Sequence, residues 1–255
     1  MQLDYDFTLL LLVCMRMTGC IMFNPIFGRR NIPMTIKIGL TVLLSLFVYG
    51  LLPEGTTTEI TSALMLSIYM VKELAVGFAI GFIINLFLSV LIVAGEFMDI
   101  QIGLSMSQIY DPASNVSMPV SASLLNVLMM MVFFLSNSHL TLMQVFVHAG
   151  QALPYNELTI SPQVFENLAL LLSNILIYAV KMSMPLLAAE LVTEIGVGLI
   201  MKAVPQINVF VVNLQLKILI GFVMLFVLIP PFASFFERLL TLMFDNINQL
   251  LGVMT

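Results

Sequence analysis

Acidic side chains in apolar surroundings are the residues of this sequence that could carry out chemistry. These acids form two pairs about one helical turn apart, Glu96 with Asp99 and Glu190 with Glu194. A lysine, Lys217, follows later in the chain. Within a helix each pair shares a face, and acids beside lipid must face water or protein. The pairs are candidates for proton binding, with a solvated helix end as the default alternative. Lys217 could pair with an acid or extend its ammonium group to water.

A second candidate is a row of small and polar residues spaced by four, namely Glu73, Gly77, Gly81 and Asn85. This spacing places them on one helix face. Small residues there let another backbone approach closely, so the glutamate would pack against protein rather than lipid. The spacing leaves open whether the row packs inside one chain or forms a seam between subunits.

The polar stretch between residues 94 and 119 contains helix-breaking residues. Asp111-Pro112 and the Ser and Asn residues after them interrupt a helix. Irregular backbone persists at membrane depth only inside protein or beside a water-filled cavity. Large apolar residues also lie here, at Met106, Ile109 and Tyr110. The stretch is either an ordinary connecting loop or a loop that plugs a pore.

Signatures of enzymes and metal sites do not occur in the sequence. HExxH, GxSxG, GxGxxG and the P-loop pattern are all missing. His139 and His148 have no acid or cysteine cluster nearby, and the pair Cys14 and Cys20 has no further ligands. We therefore expect no catalytic residue, no metal ion and no cofactor, and a protein that is not an enzyme.

Composition places the candidate residues in a membrane. Charged residues make up 9% of the 255 residues, apolar residues make up 60%, and the mean hydropathy is +1.09. A soluble domain carries about 25% charged residues. The apolar runs are continuous, which favours a polytopic helical protein over a transmembrane barrel. Basic residues are scattered, except for one Arg-Arg pair, so no nucleic-acid binding is expected.

Six apolar runs must position these residues. They cover residues 7–23, 36–52, 60–93, 120–147 (interrupted at 137–139), 165–191 and 209–229. A polar break is predicted from 194 to 208, and an amphipathic tail helix from 232 to 251. As a helix, the third run would extend about 51 Å, whereas a hydrocarbon core is about 30 Å thick. The helix must therefore tilt, bend or project out of the membrane, and we favour projection within a larger assembly.

Short motifs follow one another along nearly the whole chain. They are Asn24-Pro25-Ile26-Phe27-Gly28, Ile32-Pro33, Leu52-Pro53, Glu73-x3-Gly77-x3-Gly81, Ala94-Gly95-Glu96, Gln101-Ile102-Gly103-Leu104-Ser105, Asp111-Pro112, Met118-Pro119, Ser138-His139-Leu140 and Ala203-Val204-Pro205-Gln206-Ile207-Asn208-Val209-Phe210. Their order and spacing, over roughly residues 5 to 245, resemble the FliR/SctT family of type III export-gate proteins.

The resemblance implies an all-α polytopic helical membrane protein with long bent helical hairpins, built into a helical hetero-oligomeric gate. A single membrane domain, 1–255, would combine a FliP-like part (1–160) with a FliQ-like hairpin and amphipathic tail (161–255). FliP and FliQ would be direct partners, and FlhB and FlhA would associate. The location would be the bacterial inner membrane, in the flagellar basal body, projecting toward the periplasm.

The resemblance also assigns the plug of the closed pore to Leu104 through Asp111-Pro112, with Met118 close behind. Met106 and Ile109 would occupy the plug positions beside Tyr110. Because methionine is flexible and conforms to irregular surfaces, a methionine-containing plug could seal against ions and still yield to an unfolded chain.

The resemblance thus implies a structural and gating subunit of a flagellar protein export channel, embedded in membrane lipid, through which unfolded flagellar subunits would pass. The alternative is a self-contained, ion-coupled secondary transporter that uses the acidic pairs for coupling ions. No internal repeat supports that alternative.

Overall fold

The computed structural model of the chain describes residues 5–29, 31–52, 62–105, 108–111, 116–153, 155, 162–203 and 209–254. Over these residues the chain forms eight helices and one two-stranded hairpin. The elements are α1 (Tyr5–Met22), α2 (Met34–Gly50), α3 (Ala63–Ile102), β1 (Gln108–Asp111), β2 (Val116–Pro119), α4 (Val120–Leu135), α5 (Ser138–Ala152), α6 (Pro162–Ala203), α7 (Val209–Val227) and α8 (Ile229–Met254). The predicted all-α class is confirmed.

Two of the described helices, α3 and α6, are each long and apolar enough to cross a membrane. The pairs α4–α5 and α7–α8 are bent at a short break, and each pair meets the same criterion when counted as one span. The helices α1 and α2 are shorter and apolar. With 40 residues, α3 is about 60 Å long, twice the thickness of about 30 Å of a hydrocarbon core. The apolar helices agree with the predicted helical membrane protein.

Two helices continue past the ends of their apolar runs. The helix α3 extends to Ile102, and α6 passes through Glu194, Gly196 and Gly198 to Ala203, where the sequence predicted a polar break. The reason is that polarity alone does not end a helix. Glutamate has a good helix propensity, and each glycine costs only about 1 kcal/mol relative to alanine.

The stretch predicted to be irregular contains a β-hairpin. β1 and β2 pair in antiparallel register, with Gln108 opposite Pro119 and Asp111 opposite Val116. This pairing satisfies backbone groups that an irregular loop would leave open. Asp111, the first of the helix-breaking residues, is the last residue of β1, and a hairpin needs a turn after its first strand. Ile109, Tyr110 and Asp111 lie on β1 and Met118 lies on β2, whereas Met106 and Pro112 lie outside the described residues.

One compact unit comprises Met1–Phe87, Asn137–Leu171 and Thr241–Thr255. In it, α1 packs against α2 and α5, and α2 packs against α5. Fully buried side chains in this unit include Leu12, Met17, Ile80 and Phe146. This unit holds the first candidate acid, Glu73, which is buried.

The other compact unit comprises Leu88–Ser136 and Leu172–Leu240. In it, α4 packs against both strands of the hairpin. Buried side chains include Met98, Leu125 and Phe236. This unit contains Asp99, the hairpin, Glu190 and Glu194.

Candidate functional site

Asp99 lies near the C-terminal end of α3, and its buried carboxylate binds the start of α4. The backbone N–H of Ser121 donates to Oδ1 at 3.2 Å and to Oδ2 at 3.3 Å, and the Ser121 hydroxyl donates to Oδ1 at 2.5 Å. The first N–H groups of a helix have no partner inside the helix, and a negative charge there is favourable. Asp99 therefore caps α4 from a different helix.

The backbone of Asp99 also holds the chain that leaves α3. Its carbonyl oxygen accepts hydrogen bonds from Gly103 N at 3.0 Å and from Leu104 N at 2.8 Å. Gly103 adopts a φ of +93°, a left-handed conformation that suits glycine at a helix end. Asp99 thus fixes both ends of residues 103–119, here called the hairpin segment.

The two ends of the hairpin segment, here called its base, are held together by a close backbone contact between α3 and α4. A Cβ placed on Gly95 of α3 would lie 2.4 Å from the backbone nitrogen of Ala122 in α4. No larger side chain fits there without movement of the backbone. Gly95 and Asp99, one helical turn apart, therefore hold α4 against the end of α3.

Arg16 of α1 is fully buried, and its guanidinium contacts a carboxylate, two carbonyl oxygens and an aromatic ring among the described residues. Its Nε donates to Glu73 Oε2 of α3 at 2.6 Å. Its Nη1 donates to the carbonyl oxygens of Ala149 at 2.5 Å and Leu153 at 3.0 Å. These carbonyls lie at the C-terminal end of α5, where helix carbonyls lack partners and a positive charge is favourable. Arg16 therefore joins α1, α3 and α5.

Tyr155 adds its ring to this cluster. The ring centroid lies 4.0 Å from the Arg16 guanidinium carbon, which gives a cation–π contact. Among the described residues, the hydroxyl oxygen has no hydrogen-bond partner. Burial raises the pKa of the Tyr155 hydroxyl to about 12, so this group stays neutral at physiological pH.

The row of small residues on α3 packs against α1 of the same chain. A Cβ on Gly77 would lie 2.2 Å from the Arg16 carbonyl oxygen, and one on Gly81 would lie 2.9 Å from the Phe23 carbonyl carbon. Glu73 pairs with Arg16 on the same face. Packing inside one chain thus accounts for three of the four positions, whereas Asn85 is exposed.

The acids of α6 differ in their surroundings. Glu194 forms an ion pair with Lys217 of α7. Glu190, one turn earlier, is 0% exposed, and neither carboxyl oxygen has a hydrogen-bond partner in the described part of the chain. Glu96 of α3 is partly exposed. Within the described ranges, no three His, Cys, Asp or Glu side chains come together as a metal site would require.

Sequence reasoning missed two functional partners, Arg16 and Ser121. An arginine in the middle of an apolar run needs a buried anion, and this rule could have linked Arg16 to an acid such as Glu73. Ser121 follows a proline at the start of an apolar run, a position typical of a helix N-terminus. That signal marks the helix start but does not identify the carboxylate that caps it.

Comparison with known proteins assigns the chain to a family. The family model described as bacterial export proteins, family 1, matches residues 7–243. The chain belongs to this family. It is 27% identical over 239 residues to the flagellar biosynthetic protein FliR of Escherichia coli K12, covering 93% of this chain and 90% of that protein.

Two further relatives show the same near-complete coverage. The FliR protein of Bacillus subtilis 168 is 27% identical over 256 residues, covering 97% of this chain and 96% of that protein. The Yop proteins translocation protein T of Yersinia pestis is 26% identical over 242 residues, covering 94% and 92%. The resemblance to the FliR/SctT family inferred from the motifs is confirmed.

Proposed function

We propose that the chain is a structural and gating subunit of a flagellar type III protein export channel, and that the hairpin segment is its plug. The observation that carries the proposal is the position of Asp99, which fixes both ends of this segment between two apolar helices. Membership of the bacterial export family and the names of the flagellar relatives support the same role.

A plug needs a rigid base and a part that can be displaced. The contacts of Asp99 with Ser121 and of Gly95 with Ala122 supply the base. Beyond it, the strands are only four residues each, and a short two-stranded hairpin has little stability of its own. An unfolded chain could therefore displace the hairpin while the base keeps its position. The plug residues of this proposal are Leu104, Met106, Ile109, Tyr110, Asp111, Pro112 and Met118.

Closure would come from apolar side chains in a narrow path. An ion that enters an apolar constriction loses water contacts, and such constrictions stop conduction by dewetting. Met106 and Ile109 are the residues to which we assign this seal. Methionine can adapt to an irregular partner surface, so the same residues can close again after substrate has passed.

We propose FliP and FliQ as the subunits that complete the pore, with FlhB and FlhA as further partners. Residues 1–160 would form the FliP-like part, and 161–255 the FliQ-like hairpin, whose helices α6 and α7 are joined by the pair Glu194–Lys217. Large apolar side chains are exposed along α6, including Leu170, Leu176, Met184, Leu191, Ile195 and Leu199. In the assembly, partner helices or lipid would cover them. This role requires no catalytic residue.

The proposed location is the inner membrane in the flagellar basal body, with projection toward the periplasm. The length of α3, about 60 Å for 40 residues, supports projection out of the bilayer, because a helix spanning about 30 Å of hydrocarbon must otherwise tilt or bend strongly. A protein environment beyond the bilayer would accommodate the excess length.

The test is co-expression of a tagged copy of this chain with FliP and FliQ, followed by mild detergent extraction and native mass analysis. We expect one large complex that contains all three proteins. A well-folded monomer that binds neither partner would overturn the proposal and would favour the ion-coupled transporter, for which ion-driven uptake into liposomes is the next measurement.

A further inference from the structure

Glu190 is a buried carboxyl group without a hydrogen-bond partner in the part of the chain that the structure describes. Its side chain is 0% exposed, and neither oxygen accepts or donates a hydrogen bond within the described residues. An ionised carboxylate in such surroundings is very costly, and a buried acid usually becomes neutral instead. The carboxyl group can avoid this cost by binding a proton.

Among the described residues, the charged groups that act electrostatically on Glu190 are Lys217 of α7 and Glu194 on the next turn of α6. The Lys217 ammonium group is paired with Glu194. Lys181 lies nine residues before Glu190 on the same helix, which is two and a half turns and therefore the opposite face. The nearby positive charge is thus already neutralised by Glu194.

The pair Glu194–Lys217 places partly exposed ionisable groups next to the enclosed Glu190. The side chain of Glu194 is 40% exposed and that of Lys217 is 16% exposed. Residues four apart on a helix lie next to each other on its surface. Glu194 is therefore an accessible acid directly beside the enclosed one.

We propose that Glu190, Glu194 and Lys217 form a proton-binding site that holds one exchangeable proton. In the first of two arrangements, Glu190 is neutral, Glu194 is ionised and Lys217 is protonated. When the O–H bond of Glu190 breaks, its proton passes to the Glu194 carboxylate, and the Lys217 ammonium group neutralises Glu190 instead. The three groups have a net charge of zero in both arrangements, so the proton moves without a change in the charge of the site.

The test is infrared spectroscopy of the full chain in lipid bilayers at neutral pH, in H2O and in D2O. The C=O stretch of a protonated carboxyl group is separate from the carboxylate bands and shifts in D2O. Glu190→Gln should remove the signal of one protonated carboxyl group per chain. Glu166→Gln is the matched control, because Glu166 is an exposed acid on the same helix, and it should remove none.

The result does not depend on the proposed export function, because no partner protein is present. Loss of a carboxylate band in Glu190→Gln would show that Glu190 is ionised and would overturn the proposal. Lys217→Met gives a second measurement that leaves Glu190 in place. Without this cation, the ionised form of Glu190 loses its counter-charge, so the protonated carboxyl signal of Glu190 should persist to higher pH than in the unchanged protein. A signal that is lost over the same pH range in both proteins would overturn the shared site.

Discussion

The buried charges of Arg16 and Asp99 are stabilised in two different ways. Arg16 meets one opposite charge, Glu73, together with two carbonyl oxygens and an aromatic ring. Within the described ranges, the carboxylate of Asp99 binds no cation and is held by the N–H and hydroxyl groups of Ser121 at a helix N-terminus. Both side chains thereby link helices that are distant in sequence.

Glu73→Gln should strongly destabilise the protein. The substitution keeps the shape of the side chain but removes the charge that neutralises Arg16. Loss of one partner from a buried ion pair costs about 3–5 kcal/mol, which thermal or denaturant unfolding in detergent can measure. Glu166→Gln, at an exposed position, is the control and should have little effect.

A double substitution separates the ion pair from simple loss of packing. Arg16→Leu together with Glu73→Leu leaves no buried charge, so this variant should be more stable than either single variant. Additive losses in the double variant would contradict the assignment of Arg16 and Glu73 as one energetic unit.

Asp99→Ala should release the start of α4. Loss of a helix cap costs about 1–2 kcal/mol. Ser121→Ala removes the hydroxyl partner but keeps the backbone N–H bond, so its effect should be smaller. The two effects should not add in the double variant, because both substitutions break the same contact. Asp245→Ala, at an exposed position of α8, is the control, and an equal loss there would contradict the cap.

The sequence made Asp99 and Glu73 recognisable as candidates, because an acid in an apolar stretch must find a partner. It did not identify those partners. Glu73 and Arg16 are separated by 57 residues, and Asp99 and Ser121 by 22. Helical periodicity relates residues within one helix, whereas these contacts depend on how separate helices pack.

At the scale of elements, the crossing of α1 and α3 is the closest helix contact involving the predicted row of small residues. Gly77 lies against the backbone of α1 at Arg16 and Gly19. The row was recognisable from its spacing, since small residues at four-residue intervals permit close approach. The partner helix was not recognisable, because a subunit seam would give the same pattern.

Gly77→Ala should disrupt this crossing. The added Cβ would lie 2.2 Å from the Arg16 carbonyl oxygen, so the backbone of one helix must move. Overpacking of this kind costs about 1–3 kcal/mol. Gly196→Ala is the matched control, because nothing lies within 4 Å of its added Cβ, and it should stabilise α6 by about 0.5–1 kcal/mol. Unfolding curves of the two variants should move in opposite directions, and a shift in the same direction would contradict the packing.

The helices themselves could be predicted, because continuous apolar runs of this length form helices in a membrane. The hairpin could not. Its strands are four residues each, too short for a clear alternating pattern, and the residues that predicted a break also suit a turn. The extension of α6 through Glu194 was missed because hydropathy marks where lipid contact changes, and helix ends depend on backbone caps.

At the scale of the whole molecule, the proposed channel predicts a leak when the plug is weakened. Met106→Ala and Ile109→Ala, in cells that co-express FliP and FliQ, should raise ion permeability, because smaller side chains leave room for water. A membrane-potential dye measures the change. Met131→Ala, at an exposed position of α4, is the control, and permeability equal to wild type in the plug variants would contradict the plug assignment.

The position of Arg16 also constrains how the chain is made. During synthesis, Arg16 emerges 57 residues before Glu73 and 133 residues before Ala149. At about 5 to 20 residues per second, Glu73 is synthesised about 3 to 11 s after Arg16. During that interval, α1 carries an uncompensated cation that the bilayer interior disfavours. Its stable insertion should therefore follow the synthesis of α3 and should not precede it.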